Sequence, residues 1–225
     1  MAEPPGRWVD GLRLLLVTPG DGSPNATDEL VARALEGGVS SVLLRERQLP
    51  APERRALYAR LVTRCRSHGA LALVSREAGL ARELGAHGVH LGHGGPDLDS
   101  CRAAAPGLIV SRSAHWPLND DDRRADWVTL SPCFATPSSL PRPLLSAAQL
   151  RAALAHERLG PVVALGGLDA TRVAGLPDGM AGVAVLRALC DASDPTLAAR
   201  RLRRAVDQRW WPGPLTAHDV QRGLH

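Results

Sequence analysis

The sequence predicts an α/β protein that folds as a single eight-stranded β/α barrel, a TIM barrel. Short apolar runs alternate with segments of helical periodicity along the 225-residue chain. Polar and charged residues follow these runs, and the carboxyl ends of barrel strands are where barrel enzymes place their sites. A glycine pair late in the chain adds a phosphate-binding signal. A doubly wound open sheet is the alternative that these patterns leave open.

The first half of the chain contains four strand-and-helix units. The strands are predicted, in order, at residues 12–17, 39–44, 70–74 and 88–91. Helices are predicted at residues 27–36 and 52–68, with a shorter helix that ends at Leu84. Each strand is a nearly continuous apolar run, which is typical of parallel strands buried on both faces. The first helix ends at Gly37 and Gly38, residues that favour a helix end.

The second half of the chain repeats the same alternation of strands and helices. Strands are predicted at residues 108–110 and 127–130, in the stretch 161–168 and at the start of the stretch 182–189, and helices at 146–156 and 195–208. The stretch 161–168 reads PVVALGGL and ends in Gly166 and Gly167, whose backbone can approach an anion closely. Asp169 is a candidate cap for a helix that begins just beyond. The loops after strands seven and eight of such barrels frequently bind phosphate.

Composition narrows the chemistry. The chain has 27 basic residues, all arginine, and therefore no lysine. This excludes Schiff-base aldolases and pyridoxal-phosphate enzymes, because both need a deprotonable amine. Four widely spaced cysteines without a CxxC pair indicate reduced thiols, and no apolar run is long enough to span a membrane. A cytoplasmic protein is expected.

Three regions are predicted: an N-terminal arm at residues 1–11, the barrel at 12–208, and a C-terminal tail at 209–225. The last helix carries four arginines without interleaved aromatic residues, so we interpret it as a solvated outer face rather than a nucleic-acid site. Trp210 and Trp211 are expected to pack under the barrel or at a subunit contact.

Residues of functional type gather at the predicted carboxyl ends of the strands. They are Arg45, Arg47, Arg76, Glu77, His90, His93, Ser113, His115 and Arg187. Solvation alone does not explain such a distribution. With the glycine pair, it predicts a ligand that carries a phosphate ester.

Six short motifs, in order, resemble one superfamily. They are LLRER (43–47), GVHLG (88–92), RSAH (112–115), SPCFATPSS (131–139), ALGGL (164–168) and GVAVLRAL (182–189). The chain is thereby similar to the thiamine phosphate synthase and thiazole tautomerase superfamily over about residues 12–206. The resemblance implies a barrel that binds a thiazole phosphate on the backbone at Gly166, Gly167, Leu186 and Arg187.

The synthases of this superfamily join an aminopyrimidine pyrophosphate to the thiazole, with Mg²⁺ and basic residues neutralising the leaving pyrophosphate. Arg47 stands where their lysine contacts the pyrophosphate. Arg76 replaces an Mg²⁺-binding aspartate, and a second such aspartate aligns with Gly95 unless a two-residue slip brings in Asp97. The loop lysine is replaced by Ser139. We therefore expect no metal site and no cofactor, with Mg²⁺ needed only if the chain is a synthase.

Two details are more similar to the tautomerases: the second arginine of Arg45-Glu46-Arg47, and Arg112 before Ser113. The catalytic histidine of the tautomerase loop is, however, replaced by Pro132. The sequence thus favours a thiazole tautomerase-like isomerase, with a divergent synthase or a catalytically silent precursor-binding protein as alternatives. The expected catalytic residues are His90, His115, Arg45 and Arg47, and the expected substrate-binding residues are Arg76, Ser113, Thr136 and Ser138.

The partners implied are small molecules, thiazole phosphate or thiamine phosphate. Neither nucleic acid nor membrane binding is expected. Whether the chain forms a homo-oligomer stays open at this stage.

Overall fold

Eight parallel strands close into one barrel in the computed structural model, which describes residues 8–92, 95–136 and 143–211. The strands are β1 (Leu14–Val17), β2 (Ser41–Leu44), β3 (Leu71–Ser75), β4 (Gly88–Leu91), β5 (Ile109–Ala114), β6 (Trp127–Leu130), β7 (Val162–Leu165) and β8 (Gly182–Val185). Each strand pairs with the next, and β8 pairs with β1, so that the sheet has no free edge. The predicted β/α barrel is confirmed.

Helices cover the outside of the sheet. They are α1 (Pro24–Glu36), α2 (Ala51–Ser67), α3 (Ala78–Glu83), α4 (Leu98–Ala104), α5 (Asp120–Arg124), α6 (Ala147–Leu154), α7 (Arg187–Cys190) and α8 (Pro195–Trp210). Two 3-10 helices, Val9–Leu12 and Arg172–Gly175, precede β1 and follow β7. Within these described elements, no helix is both long and apolar enough to cross a membrane.

Alternation along the strands divides the core into two layers. Leu14 and Leu16 of β1 face the helices, whereas Leu15 and Val17 face the barrel interior. The interior is filled by Leu side chains and by the fully buried Trp127. Since both faces of each strand are buried, the strands read as continuous apolar runs. The same alternation continues past the last apolar residue of several strands, as at Arg45 after β2 and His115 after β5, and it aims these polar residues into the mouth of the barrel.

Strand β5 is longer than the sequence predicts. Residues 111–114 were expected to follow a strand at 108–110, but they belong to β5 itself. Polar side chains are tolerated there because each has a partner: Ser111 and Ser113 contact His90 inside the barrel. Arg112 points outward and forms ion pairs with Asp121 and Asp122.

The connections after β4, β5 and β7 also depart from the expected pattern. Helices α4 and α5 have no counterpart in the sequence-based prediction. Asp169 accepts hydrogen bonds from the N–H groups of Thr171 and Arg172, at 2.9 and 3.0 Å, as a cap would. The element that follows is a single turn of 3-10 helix, with Thr171 at its N-cap position, rather than the expected α-helix.

The end of α8 packs beneath the barrel. This agrees with one of the two predictions for Trp210 and Trp211, that they pack under the barrel. The Arg13 guanidinium lies 4.4 Å from the ring centre of Trp211, and the indole N–H of Trp210 donates to the carbonyl of Pro177. Most of the predicted arm and tail lie outside the described residues, so the boundaries of the three regions stay a prediction.

Candidate active site

A cavity of about 480 Å³ opens at the carboxyl ends of the strands. Its walls are the inner-face residues that continue the alternation of the strands, such as Leu43 and then Arg45 after β2, or Ser113 and then His115 after β5. Apart from Glu77, the predicted site residues within the described ranges line this one cavity: Arg45, Arg47, Arg76, His90, Ser113, His115, Thr136, Gly166, Gly167, Leu186 and Arg187. Ser138 and His93 lie outside the described residues. Their common location supports the choice of residues, while their individual roles stay predictions.

One end of the cavity is a glycine turn after β7. Gly166 and Gly167 both have positive φ angles, 105° and 61°. A Cβ atom on Gly167 would lie 2.5 Å from the carbonyl oxygen of Ala135, and one on Gly166 would lie 3.1 Å from Cα of Pro132. The turn therefore requires glycine for both its conformation and its close contact with the loop after β6. It leaves backbone, rather than side chains, facing the cavity.

Arg187 completes this end of the cavity. It is exposed and begins α7, so its N–H has no acceptor within the helix. Within the described ranges, the Arg187 guanidinium forms no ion pair with a carboxylate. Backbone N–H groups beside an arginine are the kind of donors that bind a phosphate monoester.

The other end carries three arginines, Arg45, Arg47 and Arg76. A Cβ atom on Gly92 would lie 3.5 Å from both Nε and Nη2 of Arg76 and 3.6 Å from Nη2 of Arg47, so these two guanidinium groups converge. Burial, followed by the charge of Arg47, lowers the pKa of Arg45 and also that of Arg76. No described residue with a carboxylate lines the cavity. The described side chains that line this end are therefore positively charged, which favours a polyanionic ligand.

His90 lies in the floor between these ends and is almost fully buried. The Ser111 hydroxyl donates to the carbonyl of Val89, so its oxygen accepts from Nδ1–H of His90 at 2.9 Å. The other ring nitrogen, Nε2, then accepts from the hydroxyl of Ser113 at 3.0 Å. Burial, followed by the nearby charge of Arg112, lowers the pKa of His90 to about 4. The ring is neutral at pH 7 and holds Ser113 in a fixed orientation.

His115 lies nearer the opening. Its Nδ1 is 2.8 Å from the carbonyl oxygen of Ser131, an acceptor, so Nδ1 carries the proton. In the neutral ring, Nε2 is then the unprotonated nitrogen. His115, Ser131 and Pro132 also border a smaller cavity of about 270 Å³ next to the first.

Sequence reasoning did not single out several residues of the cavity. Thr129 lines it, and the Thr129 hydroxyl is buried without a hydrogen-bond partner among the described residues. Val17 and Ser75 line it as well. Ser111, which fixes the tautomer of His90, lies opposite His90 in the register of β4 and β5. The period-two alternation of Ser111 and Ser113 is the signal that could have identified it.

The family model described as thiamine monophosphate synthase (TMP-TENI) matches residues 14–189, a span from β1 to α7. The chain belongs to this family. The resemblance seen in the six motifs is thereby confirmed.

Named relatives cover nearly the whole barrel. A Thermus thermophilus protein named thiamine-phosphate synthase is 36% identical over 203 residues, which cover 87% of this chain and 97% of that protein. An Albidiferax ferrireducens protein of the same name is 34% identical and covers 88% and 94% of the two chains. The relatives thus support the synthase alternative better than the tautomerase expectation.

Solved structures agree. The structure of thiamine phosphate pyrophosphorylase from Pyrococcus furiosus superposes with a TM-score of 0.80 at 26% identity, and covers 90% of this chain and 98% of that one. A 3-hexulose-6-phosphate synthase, at a TM-score of 0.64 and 18% identity, shares the fold alone.

The residues present do not fit the Mg²⁺ site that the family implies, because Mg²⁺ prefers several oxygen ligands that include carboxylates. Arg76 occupies the position of one ligating aspartate. Asp97, the candidate for the other, caps α4 and accepts hydrogen bonds from the N–H and the hydroxyl of Ser100. Glu77 forms an ion pair with Arg54 instead of lining the cavity.

One tautomerase-like detail also proves to be peripheral. Arg112 points away from the cavity and pairs with Asp121 and Asp122, so it does not contact a ligand there. Pro132, in the place of the tautomerase histidine, lines the cavity and offers no proton-transfer group.

Proposed function

We propose that this chain makes thiamine phosphate from an aminopyrimidine diphosphate and a thiazole phosphate. The observation that carries the proposal is one cavity in which two separate ends carry groups suited to anions. The arginine end lies at β2 and β3, and the glycine end lies at β7 and β8. Strands β3 and β7 are four apart in a closed ring of eight, and so lie on opposite sides of the mouth. Two phosphorylated substrates with their rings between them match this arrangement.

The chemistry suits these groups. The bond between the pyrimidine methylene carbon and the diphosphate oxygen breaks, and its electron pair leaves with the diphosphate. The lone pair of the thiazole nitrogen forms the new carbon–nitrogen bond, which gives thiamine phosphate and inorganic diphosphate. Arg45, Arg47 and Arg76 would stabilise the charge that grows on the leaving group. This coupling needs no general base, which is consistent with proline at position 132.

The apolar part of the cavity suits the two rings. Leu43, Leu165 and Leu168 are among the residues that line it. Such surfaces exclude water, and water exclusion protects a reactive pyrimidine cation from hydrolysis.

The test is thiamine phosphate formation by the purified chain, measured by chromatography with both substrates present. We expect product from the wild type and at least a tenfold lower rate from Arg47→Ala. The matched control is Arg82→Ala, which removes an exposed arginine of α3 outside the cavity. Soluble protein that binds both substrates but forms no thiamine phosphate would overturn the proposal.

A tautomerase-type isomerase is the second candidate, and the orientation of His115 favours it. With Nδ1–H held by the Ser131 carbonyl, Nε2 is the basic nitrogen of a residue that lines the cavity. An isomerase would aromatise the exocyclic-alkene tautomer of thiazole phosphate carboxylate faster than buffer does, and His115→Ala would lose this acceleration. No acceleration by the wild type would exclude this candidate. Thiazole phosphate binding without either reaction would identify the silent binding protein instead.

A further inference from the structure

Among the residues that the structure describes, none places a carboxylate at the arginine end of the cavity to hold a divalent cation. Glu46 is fully buried, lies outside the cavity lining, and accepts a hydrogen bond from the N–H of Gly20. Glu77 and Asp97 are engaged by Arg54 and by Ser100. The internal segments 93–94 and 137–142, which the structure does not describe, contain no aspartate or glutamate in the sequence. These two segments therefore supply no carboxylate ligand.

Arg76 is held at this end by an unusual backbone conformation. Its φ is 67°, the one positive φ of a residue other than glycine in the described part of the chain. Its N–H donates to the carbonyl of His90 at 3.0 Å, which ties it to β4. A left-handed conformation is costly for a long side chain, and such strain tends to persist where it serves function. Here it carries a guanidinium group to within reach of the Arg47 guanidinium.

We propose that the arginine end binds a diphosphate group without any divalent cation. The permanent positive charge of Arg76 compensates the negative charge of the diphosphate, a role for which the family uses a metal ion. Guanidinium groups bind phosphate oxygens through paired hydrogen bonds and stay charged at all physiological pH values. The identification of this diphosphate with the leaving group of a pyrimidine substrate rests on the proposed function, whereas the binding of inorganic diphosphate does not.

The direct test is calorimetric titration of the full chain with inorganic diphosphate, once in EDTA and once in excess Mg²⁺. We expect saturable binding in EDTA. Mg²⁺ should leave the affinity unchanged or weaken it, because the metal lowers the charge of the anion and finds no carboxylate at the site. Binding that occurs only with Mg²⁺, or no binding in either buffer, would overturn the inference.

Variants at position 76 test whether Arg76 is responsible for the metal-free binding of diphosphate. Asparagine tolerates the left-handed conformation but carries no charge, so Arg76→Asn should weaken metal-free diphosphate binding about ten- to a hundredfold. Arg76→Asp should abolish it. Arg82→Asn, on the outer face of α3, is the matched control and should bind like the wild type. Thermal unfolding of each variant establishes that it is folded. Wild-type affinity in a folded Arg76→Asn variant would contradict the role of Arg76.

This inference and the proposed function fail in different ways. If diphosphate binds only with Mg²⁺ while thiamine phosphate is formed, the inference is wrong and the function stands. If diphosphate binds in EDTA while no thiamine phosphate forms, the metal-free site stands and the function is wrong.

Discussion

Arg47 and Arg76 aim guanidinium nitrogens at one point above Gly92. A Cβ atom at that point would lie 3.6 Å from the first arginine and 3.5 Å from the second. Two cations therefore face a small space that the absent side chain of residue 92 leaves open. Arg47, Arg76 and Gly92 follow β2, β3 and β4, respectively. The backbone of residue 92 does not itself require glycine, so the missing side chain matters for the space between the two guanidinium groups.

A side chain at position 92 that fills this space should weaken diphosphate binding with little effect on the stability of the fold. The φ of Gly92 is not in the left-handed region, and the nearest atoms are the far ends of flexible side chains. We expect Gly92→Ala to change the free energy of unfolding by less than about 1 kcal/mol, since its backbone accepts alanine. Diphosphate affinity, measured by calorimetry, should fall several-fold. Gly79→Ala in α3, where nothing lies within 4 Å, is the control. Unchanged affinity in Gly92→Ala would show that the anion does not occupy this point.

Removing the strain at Arg76 should not lower the stability of the protein. In Arg76→Gly the left-handed backbone becomes unstrained and a repelling charge disappears, against which glycine adds backbone entropy to the unfolded chain. We expect the midpoint of thermal unfolding to rise or stay level, with a gain of at most about 1 kcal/mol, while diphosphate binding weakens about as much as in Arg76→Asn. A clear drop in that midpoint would mean that Arg76 holds the fold together rather than a ligand.

The glycine turn makes a contrasting prediction. Gly167→Ala adds a Cβ 2.5 Å from a backbone carbonyl at a φ of 61°, whereas Gly69→Ala adds one at a φ of 65° with nothing within 4 Å. Both variants introduce left-handed strain, roughly 1 kcal/mol, but only the first also pushes against the loop after β6. We expect chemical denaturation to show the larger destabilisation in Gly167→Ala, together with weaker thiazole phosphate binding. Equal effects of the two substitutions would argue against close packing at the turn.

The buried histidine predicts a pH dependence of stability. Burial lowers the pKa of His90 from 6.5 in the unfolded chain to about 4 in the folded protein. Below pH 6.5 the unfolded chain therefore binds a proton that the folded protein does not. Stability from this group is complete above pH 6.5, decreases towards pH 4, and is constant below that.

Denaturation between pH 7 and 5 tests this dependence. The contribution of His90 to the slope should approach about 1.4 kcal/mol per pH unit, and His90→Asn should remove it. A wild-type slope that persists in His90→Asn would place the titration elsewhere.

The barrel and the end that carries the site could be predicted because both follow from local pattern. Apolar runs buried on two faces give parallel strands, and residues just after them must gather at one rim. Contacts that depend on register could not be predicted. The pairing of His90 with Ser111 is an example, because it depends on how β4 and β5 align.

Local side-chain interactions explain the other differences between the prediction from sequence and the structure. Helix α5 begins with three aspartates, and its capping box between Asn119 and Asp122 forms it without an apolar stripe. The outward turn of Arg112 follows from the extension of β5, and this extension in turn depends on partners for polar side chains on both faces. The sequence favours an isomerase because the metal ligands of the synthases are missing, which indicates loss of the synthase reaction. The cluster of arginines at the same place allows another interpretation, in which the charge is kept and the metal is not.

The most direct test of the two-ended cavity is a crystal structure of the chain soaked with thiazole phosphate and inorganic diphosphate in EDTA. The account predicts the phosphate ester at Gly166, Gly167 and Arg187, the diphosphate between Arg47 and Arg76, and the thiazole ring between them. Both anions at the same end, or a thiazole phosphate bound outside this cavity, would contradict it.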